Sequence, residues 1–300
     1  MIVTDKKLWK YNLAAAILHG VQGTGMLIAS QAVDSIKAFK KDITRSYLVY
    51  NQETKGLDPA QTKAFTIEIG VMAAVFLLLS AFAHSLVLLT FNKIYLKHLR
   101  KNINYIRWYE YAISSSVMIC AIAALFGMYD LGSHILLFFG NACMNFFGLL
   151  MEEMNSWKMV TLRAEEPRLD FYDITTETSR TVNGNETINT VSNETRSIRS
   201  KIDWTPFWFG CVAGAASWIV MAIYFFGGPD ISQIPGFVFG ILLSYVIFFN
   251  TFPINMALQY AQVGPWKDYR YGELWYMFLS LASKSLLAWL VFGGTFQPND

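Results

Sequence analysis

The stretch from Leu274 to Gly294, LWYMFLSLASKSLLAWLVFGG, constrains this chain more than any other, because it carries a single charged residue, Lys284, near its middle. About 20 predominantly apolar residues make a helix long enough to cross the hydrocarbon of a bilayer, which puts an ammonium group near the midplane. Holding a charge there costs on the order of 2.5 to 3.5 kcal/mol on the insertion scale. Lys284 stands roughly 10 residues, or about 15 Å, from either end of the stretch, too far for its side chain to reach an interface. Three uses of such a lysine stay open on these grounds: a structural ion pair, a residue of a transport pathway, or an amine used chemically. A desolvated lysine is suited to Schiff-base formation with an aldehyde, so the third use implies a covalently held carbonyl ligand.

Six further apolar spans precede it, giving expected spans at about 8–32, 64–89, 105–129, 134–154, 207–226, 235–261 and 271–294. They are too long and too continuous for barrel strands, and backbone groups in lipid must be satisfied internally, so the expected fold is an all-α membrane protein, a seven-helix bundle. With 54% hydrophobic and only 15% charged residues, the composition agrees with an integral, multi-pass membrane protein surrounded by lipid. A net charge of +2 gives no reason to expect nucleic acid as a partner. Cys120, Cys143 and Cys211 all fall inside apolar spans at no metal-ligand spacing and read as small buried hydrophobes.

Lysine and arginine concentrate in the amino-terminal tail (Lys6, Lys7, Lys10) and in the second, fourth and sixth loops, which predicts a cytoplasmic amino terminus and an extracellular carboxyl terminus. The first loop, 33–63, is the basic exception, partly balanced by Asp34, Asp42, Glu53 and Asp58. Its run Ile43 to Tyr50, followed by a turn-rich segment, predicts a short β-hairpin on the outer face. The fourth loop, 162–203, is polar and poor in apolar residues, and is expected to be a flexible cytoplasmic segment that offers a partner-binding or modification site. Its sequons at Asn185 and Asn193 are expected to stay unmodified on that side.

Few polar groups lie inside the spans. Past Arg107, the third span has Glu110 as its one charged residue before Asp130. A buried carboxylate needs a cation or a proton, and two cations are in reach of the argument: Lys284, at a nominal height about 10 Å away, or Arg107 at the interface. His19 shares a helical stripe with Gln22 and Met26, and His84 follows Ser80 by one turn, so both can face the bundle interior as core histidines or as proton acceptors near Glu110. Ser280, one turn before Lys284, is placed to hydrogen-bond its nitrogen.

Extended patterns in most spans resemble the heliorhodopsins: AAAILHGVQGTGM, LSAFAHSLV, RWYEYAISSSVM, NACMNFFGLLMEE, SYVIFFNTFPINMALQY and YGELWYMFLSLASKSLLAW, in order along the chain. The resemblance implies a rhodopsin-like bundle of inverted topology in a cell or host membrane, with all-trans retinal held at Lys284 as a protonated Schiff base and Glu110 as its counterion. It further implies Ser280 near the Schiff base, His19 and His84 in a cytoplasmic-side polar cluster, and Met118, Trp218, Phe249 and Asn250 lining or flanking the chromophore. It also implies a homodimer formed through a small sheet in the first outer loop. One departure stands out, since Ser217 occupies the place before Trp218 where the family is expected to carry a proline.

The function expected from this reading is light sensing, not enzymatic catalysis: isomerisation moves the imine from Glu110, and its proton passes to the cluster around His19 and His84 without net pumping. The outer half of the third span has no carboxylate before Asp130, with Glu68 of the second span the nearest substitute, so an outward proton route lacks a relay. The alternative is a light-gated proton or cation channel.

Overall fold

A computed structural model describes residues 3–158, 202–228 and 234–296. Helix α1 (Asp5–Ala32) leads through a short α2 (Asp34–Ala38) into strands β1 (Lys40–Asn51) and β2 (Gly56–Glu68). Then follow α3 (Ile69–Leu89), a short α4 (Asn92–Arg100), α5 (Tyr105–Leu125), α6 (Leu131–Asn155), α7 (Thr205–Phe226), α8 (Gly236–Tyr260) and α9 (Tyr269–Gly294). Seven of these helices, α1, α3 and α5 to α9, are long and apolar enough to cross a membrane. The loop expected at 162–203, with its two sequons, lies outside the described residues apart from Ile202 and Asp203.

Local chemistry fixes most helix starts. Thr4 caps α1 by accepting from the Lys7 amide, Asn104 caps α5 through Arg107, Asp130 caps α6 through Ser133, and Asp268 caps α9 through Arg270. Pro206 sits in the first turn of α7, where its missing N–H costs nothing. Helix α5 ends at Leu125, short of the expected Tyr129, because the chain turns at Gly127 with φ of +94°, a conformation open to glycine.

The second span starts later than its apolar run predicts. Residues Ala64 to Glu68 continue β2, which pairs antiparallel with β1 from Asn51↔Gly56 out to Lys40↔Glu68, and the helix begins at Ile69. A 2.7 Å ion pair between Lys40 and Glu68 closes the ladder at that point. The hairpin is therefore longer than the one expected from Ile43 to Tyr50. A bulge between Ile43 and Thr44 lets the Thr44 amide donate to the Tyr129 carbonyl at 2.8 Å, which ties the hairpin to the α5–α6 turn.

Helix α9 packs on α1, α3 and α8, and α5 packs on α3 and α6, while α7 leans on α6. Helices α7 and α8 meet through aromatic side chains, Trp218 with Tyr245 and Phe225 with Phe239, and a cavity lies between these helices and the rest of the bundle. Side chains such as Leu18, Val21, Leu136, Phe139, Val212 and Ile219 stay exposed on the outside, as expected where the solvent is lipid. Two buried clusters fill the inside. The one toward the hairpin is mostly aliphatic, and the one toward α4 is rich in Tyr and Trp.

Candidate functional site

Lys284 is 3% exposed and sits mid-helix on α9. Its Nζ donates to Glu110 Oε1 at 2.5 Å and to the hydroxyls of Ser80 and Ser114, each at 2.7 Å. Both serines in turn donate to Glu110 Oε1 at 2.6 Å. Three helices, α3, α5 and α9, thus converge on one ammonium–carboxylate pair in which the serines relay between the two charges. The nominal height gap between Lys284 and Glu110 closes because side chains on a helix lean toward its amino terminus, and α9 starts at the end of the bundle where Glu110 lies. The ring of Tyr111 stands 5.0 Å below the ammonium and completes the enclosure.

Ser280 does not bond the lysine as its spacing predicts. Nζ turns away from its own helix toward α3 and α5, and the buried Ser280 Oγ has no hydrogen-bond partner among the described residues. Sequence spacing finds neighbours on one helix, whereas Ser80 and Ser114 come from two others. Ser80 carries a usable signal, one turn before His84, and Ser114 lies one turn after Glu110.

The two histidines meet across α1 and α3, with ring centroids 6.1 Å apart and planes nearly parallel. His84 Nδ1 lies 2.8 Å from Asn12 Oδ1. The amide nitrogen of Asn12 donates to the Leu8 carbonyl, so its oxygen faces the ring and Nδ1 is the donor. His19 is fully buried, and neither of its nitrogens has a partner among the described residues. A cavity of about 30 Å³ connects Asn12, His84 and Glu110 with Tyr95, Arg107 and Glu273, enough space for ordered water between polar walls.

Beyond that cavity stands a second charged cluster that the sequence reading missed. Arg107 does not pair with Glu110; it bridges Glu152 of α6 and Glu273 of α9, and all three are nearly inaccessible. Asn104 Nδ2 at 2.7 Å and the Tyr95 hydroxyl at 3.2 Å also donate to Glu273, while Trp108 Nε1 at 2.7 Å and the Tyr269 hydroxyl at 2.9 Å donate to Glu152. The guanidinium lies 4.0 Å from the Tyr276 ring centroid. Each carboxylate lies inside an expected span but within a turn or so of its helix end, where counting apolar residues does not tell a buried carboxylate from a solvated one.

On the other side of Lys284 a slot of about 290 Å³ runs among α5 to α9, lined mainly by apolar side chains. Such a volume and lining suit a small hydrophobic ligand with one polar anchor. Met118, Trp218 and Phe249 line it, and Trp218 packs at a tilt against Tyr245 with centroids 4.2 Å apart. Asn250 also borders the slot but is exposed, and its amide donates to the Val246 carbonyl of its own helix. Ser217, at the place of the expected proline, is buried. The floor of the slot depends on a close helix approach at Gly148, where a Cβ would stand 2.2 Å from the Trp108 ring.

Compared with known families, residues 8–165 and 185–296 match the family model described as Heliorhodopsin. No relative among curated proteins matches the chain.

Proposed function

The chain belongs to the heliorhodopsin family, retinal-binding and photoreceptor-like rhodopsins of the membrane, and from that membership we propose that Lys284 is the covalent attachment point and Glu110 its counterion. The observation that carries this reading is the buried Nζ, which ends an apolar slot on one side and meets a carboxylate at 2.5 Å on the other. An apolar polyene fits that slot, and its aldehyde carbon would be held at the one amine that lines it. Retinal bound there supplies a light-driven double-bond isomerisation next to Nζ.

The chain's own groups then do the rest. Glu110 stabilises positive charge at Nζ, and Ser80 and Ser114 hold that carboxylate in place with two hydroxyl donors. When Nζ is displaced from Glu110, the nearby acceptors lie toward α4: the cavity beside Glu110 is shared with His84, and His19 stacks on His84. Toward the hairpin, the described residues offer no buried carboxylate, and Glu68 is engaged by Lys40. This asymmetry favours proton transfer confined to one side, with no net pumping, over a proton or cation conductance.

With the amino terminus in the cytoplasm, the histidine cluster faces inward and the hairpin faces out, where it is the surface for homodimer formation. The loop at 162–203 is then the place for a cytoplasmic partner. Adding all-trans retinal to the purified apoprotein is expected to give a visible absorption band that Lys284→Ala abolishes; a band that survives this substitution overturns the assignment. Voltage-clamped cells expressing the protein are expected to show no sustained photocurrent, and a passive current that reverses with the proton gradient moves the reading to a channel.

A further inference from the structure

The end of the bundle at α4 carries a patch of cations that neither ion pairs nor the retinal site explain. Lys93, Lys97 and Arg100 follow one another at helical spacing on α4, Lys101 comes next, and all four are exposed. The opposite side of α4 is anchored in the bundle by Tyr95 and Leu99, 3% and 1% exposed. The sequence between Glu68 and Glu110 contains no acidic residue, and among the described residues none of the four cations forms an ion pair. Apolar side chains flank them in the open: Leu89, Phe91 and Ile94 are 86%, 37% and 47% exposed. Lys6 and Lys10, with the exposed Trp9 between them, extend the charge along the start of α1.

A short helix with one face packed on the protein, exposed apolar residues at its start and a row of lysine and arginine beside them has the composition of an element lying in the headgroup layer. Among the described residues no acid pairs with its charge, and an anionic headgroup is the complementary group that a bilayer supplies at that depth. We propose that α4, with the start of α1, is a docking surface for anionic phospholipids, which it gathers from the adjoining leaflet. On α4 itself, partial burial, followed by the charges of Lys101 and Lys97, holds the His98 imidazole below its usual pKa.

The test uses the full chain reconstituted in phosphatidylcholine bilayers with a trace of spin-labelled phosphatidylserine or spin-labelled phosphatidylcholine. Electron spin resonance then reads the fraction of each label immobilised at the protein. The serine lipid is expected to be enriched over the choline lipid by on the order of fivefold, the factor that one basic side chain contributes near a membrane surface. Enrichment is expected to vanish at 1 M salt, where the screening length falls to about 3 Å. The variant K93Q/K97Q/R100Q/K101Q is expected to bring the two lipids to parity, while R45Q/K55Q on the exposed hairpin leaves the enrichment intact. Should the fourfold variant lose its helical circular dichroism, K93Q/K97Q and R100Q/K101Q are each expected to lower the enrichment. Parity in the wild-type protein at low salt, or full enrichment after neutralisation, shows that α4 gathers no anionic lipid and overturns the proposal. This inference rests on surface charge alone and stands or falls apart from the retinal assignment.

Discussion

The two halves of the bundle, divided at Lys284, are built on opposite principles. Toward α4 the interior holds Glu110, Arg107, Glu152 and Glu273 with a shell of Tyr, Trp, Asn and His donors. Toward the hairpin it holds Met26, Phe76, Leu77, Ile119, Ile122 and Val291 and, among the described residues, no buried charge. A charge in a low-dielectric interior persists only with a partner or a route to water, so the polar half has both the means and the space to move a proton, and the dry half has neither. The contrast teaches which half can host a charge, and in the proposed sequence a proton leaving Nζ meets Glu110, His84 and His19 toward α4. The lysine sits at the boundary with its counter-charge in the polar half, and the apolar slot beside it is walled largely from that same half, by Trp108, Tyr111, Phe207, Phe252, Met256 and Tyr276.

The contrast breaks most severely at Arg107. Arg107→Leu leaves Glu152 and Glu273 buried without their cation, and unfolding in detergent is expected to show a loss of about 3–5 kcal/mol. Adding Glu152→Gln and Glu273→Gln to that variant is expected to restore most of the loss, because a neutralised cluster no longer carries unpaired charge. If the single variant is as stable as the wild type, the cluster is wetter than its burial implies. In the dry half, Ile119→Asp is expected to cost about 2.5–3.5 kcal/mol, the insertion penalty of a charge at mid-bilayer, against about 1 kcal/mol for Ile119→Val. An aspartate tolerated there without loss would mean that water already enters this half.

How much of this was legible in the chain divides along the same boundary. The spans could be read because each must by itself be long and apolar enough to cross lipid, so a local pattern carries the information. Lys284, Glu110, His19 and His84 stood out for the complementary reason that charge inside a span is costly. What escaped depended on neighbours from other helices. Ser80 and Ser114, and not Ser280, reach the lysine, which no spacing on α9 can reveal. Glu152 and Glu273 lie near helix ends, where apolarity counts cannot tell a buried carboxylate from a solvated one. The start of α3 was misjudged because Ala64, Phe65 and Ile67 are as apolar in a strand as in a helix, and only the pairing with β1 assigns them.

A milder test of the polar half is Asn12→Leu, which removes the acceptor for His84 Nδ1 and is expected to lower stability by about 1 kcal/mol. If His84 receives the proton in the proposed sequence, flash photolysis of the variant pigment is expected to show slower loss of the proton from Nζ. Unchanged kinetics would take His84 out of the route while leaving the Lys284–Glu110 pair as it stands.

The smallest expected effect lies outside the membrane, at the edge of the dry half, where the hairpin depends on charge that the core beneath it lacks. Hydrogen bonding to Lys63 and Thr66 holds the Asp42 carboxyl below its ordinary pKa of 3.8, and hydrogen bonding to Lys40 holds Glu68 below its ordinary 4.5. A carboxyl whose folded pKa is depressed stabilises the fold above its unfolded pKa, and that contribution disappears as pH falls through the folded value. Both pairs are solvent-exposed and screened, so the loss is small, and it falls on β1 and β2 because the pairs join those strands or close their ladder. Acidification to well below the ordinary carboxylate values is therefore expected to speed amide hydrogen exchange in Lys40–Asn51 and Gly56–Glu68, beyond the intrinsic pH effect on exchange. The dry core of α3 and α5 is expected to keep its protection. Equal loosening of hairpin and core would mean that acid acts on the buried clusters first, and that the hairpin is held by its hydrogen-bonded ladder and its tie to Tyr129 instead of by its ion pairs.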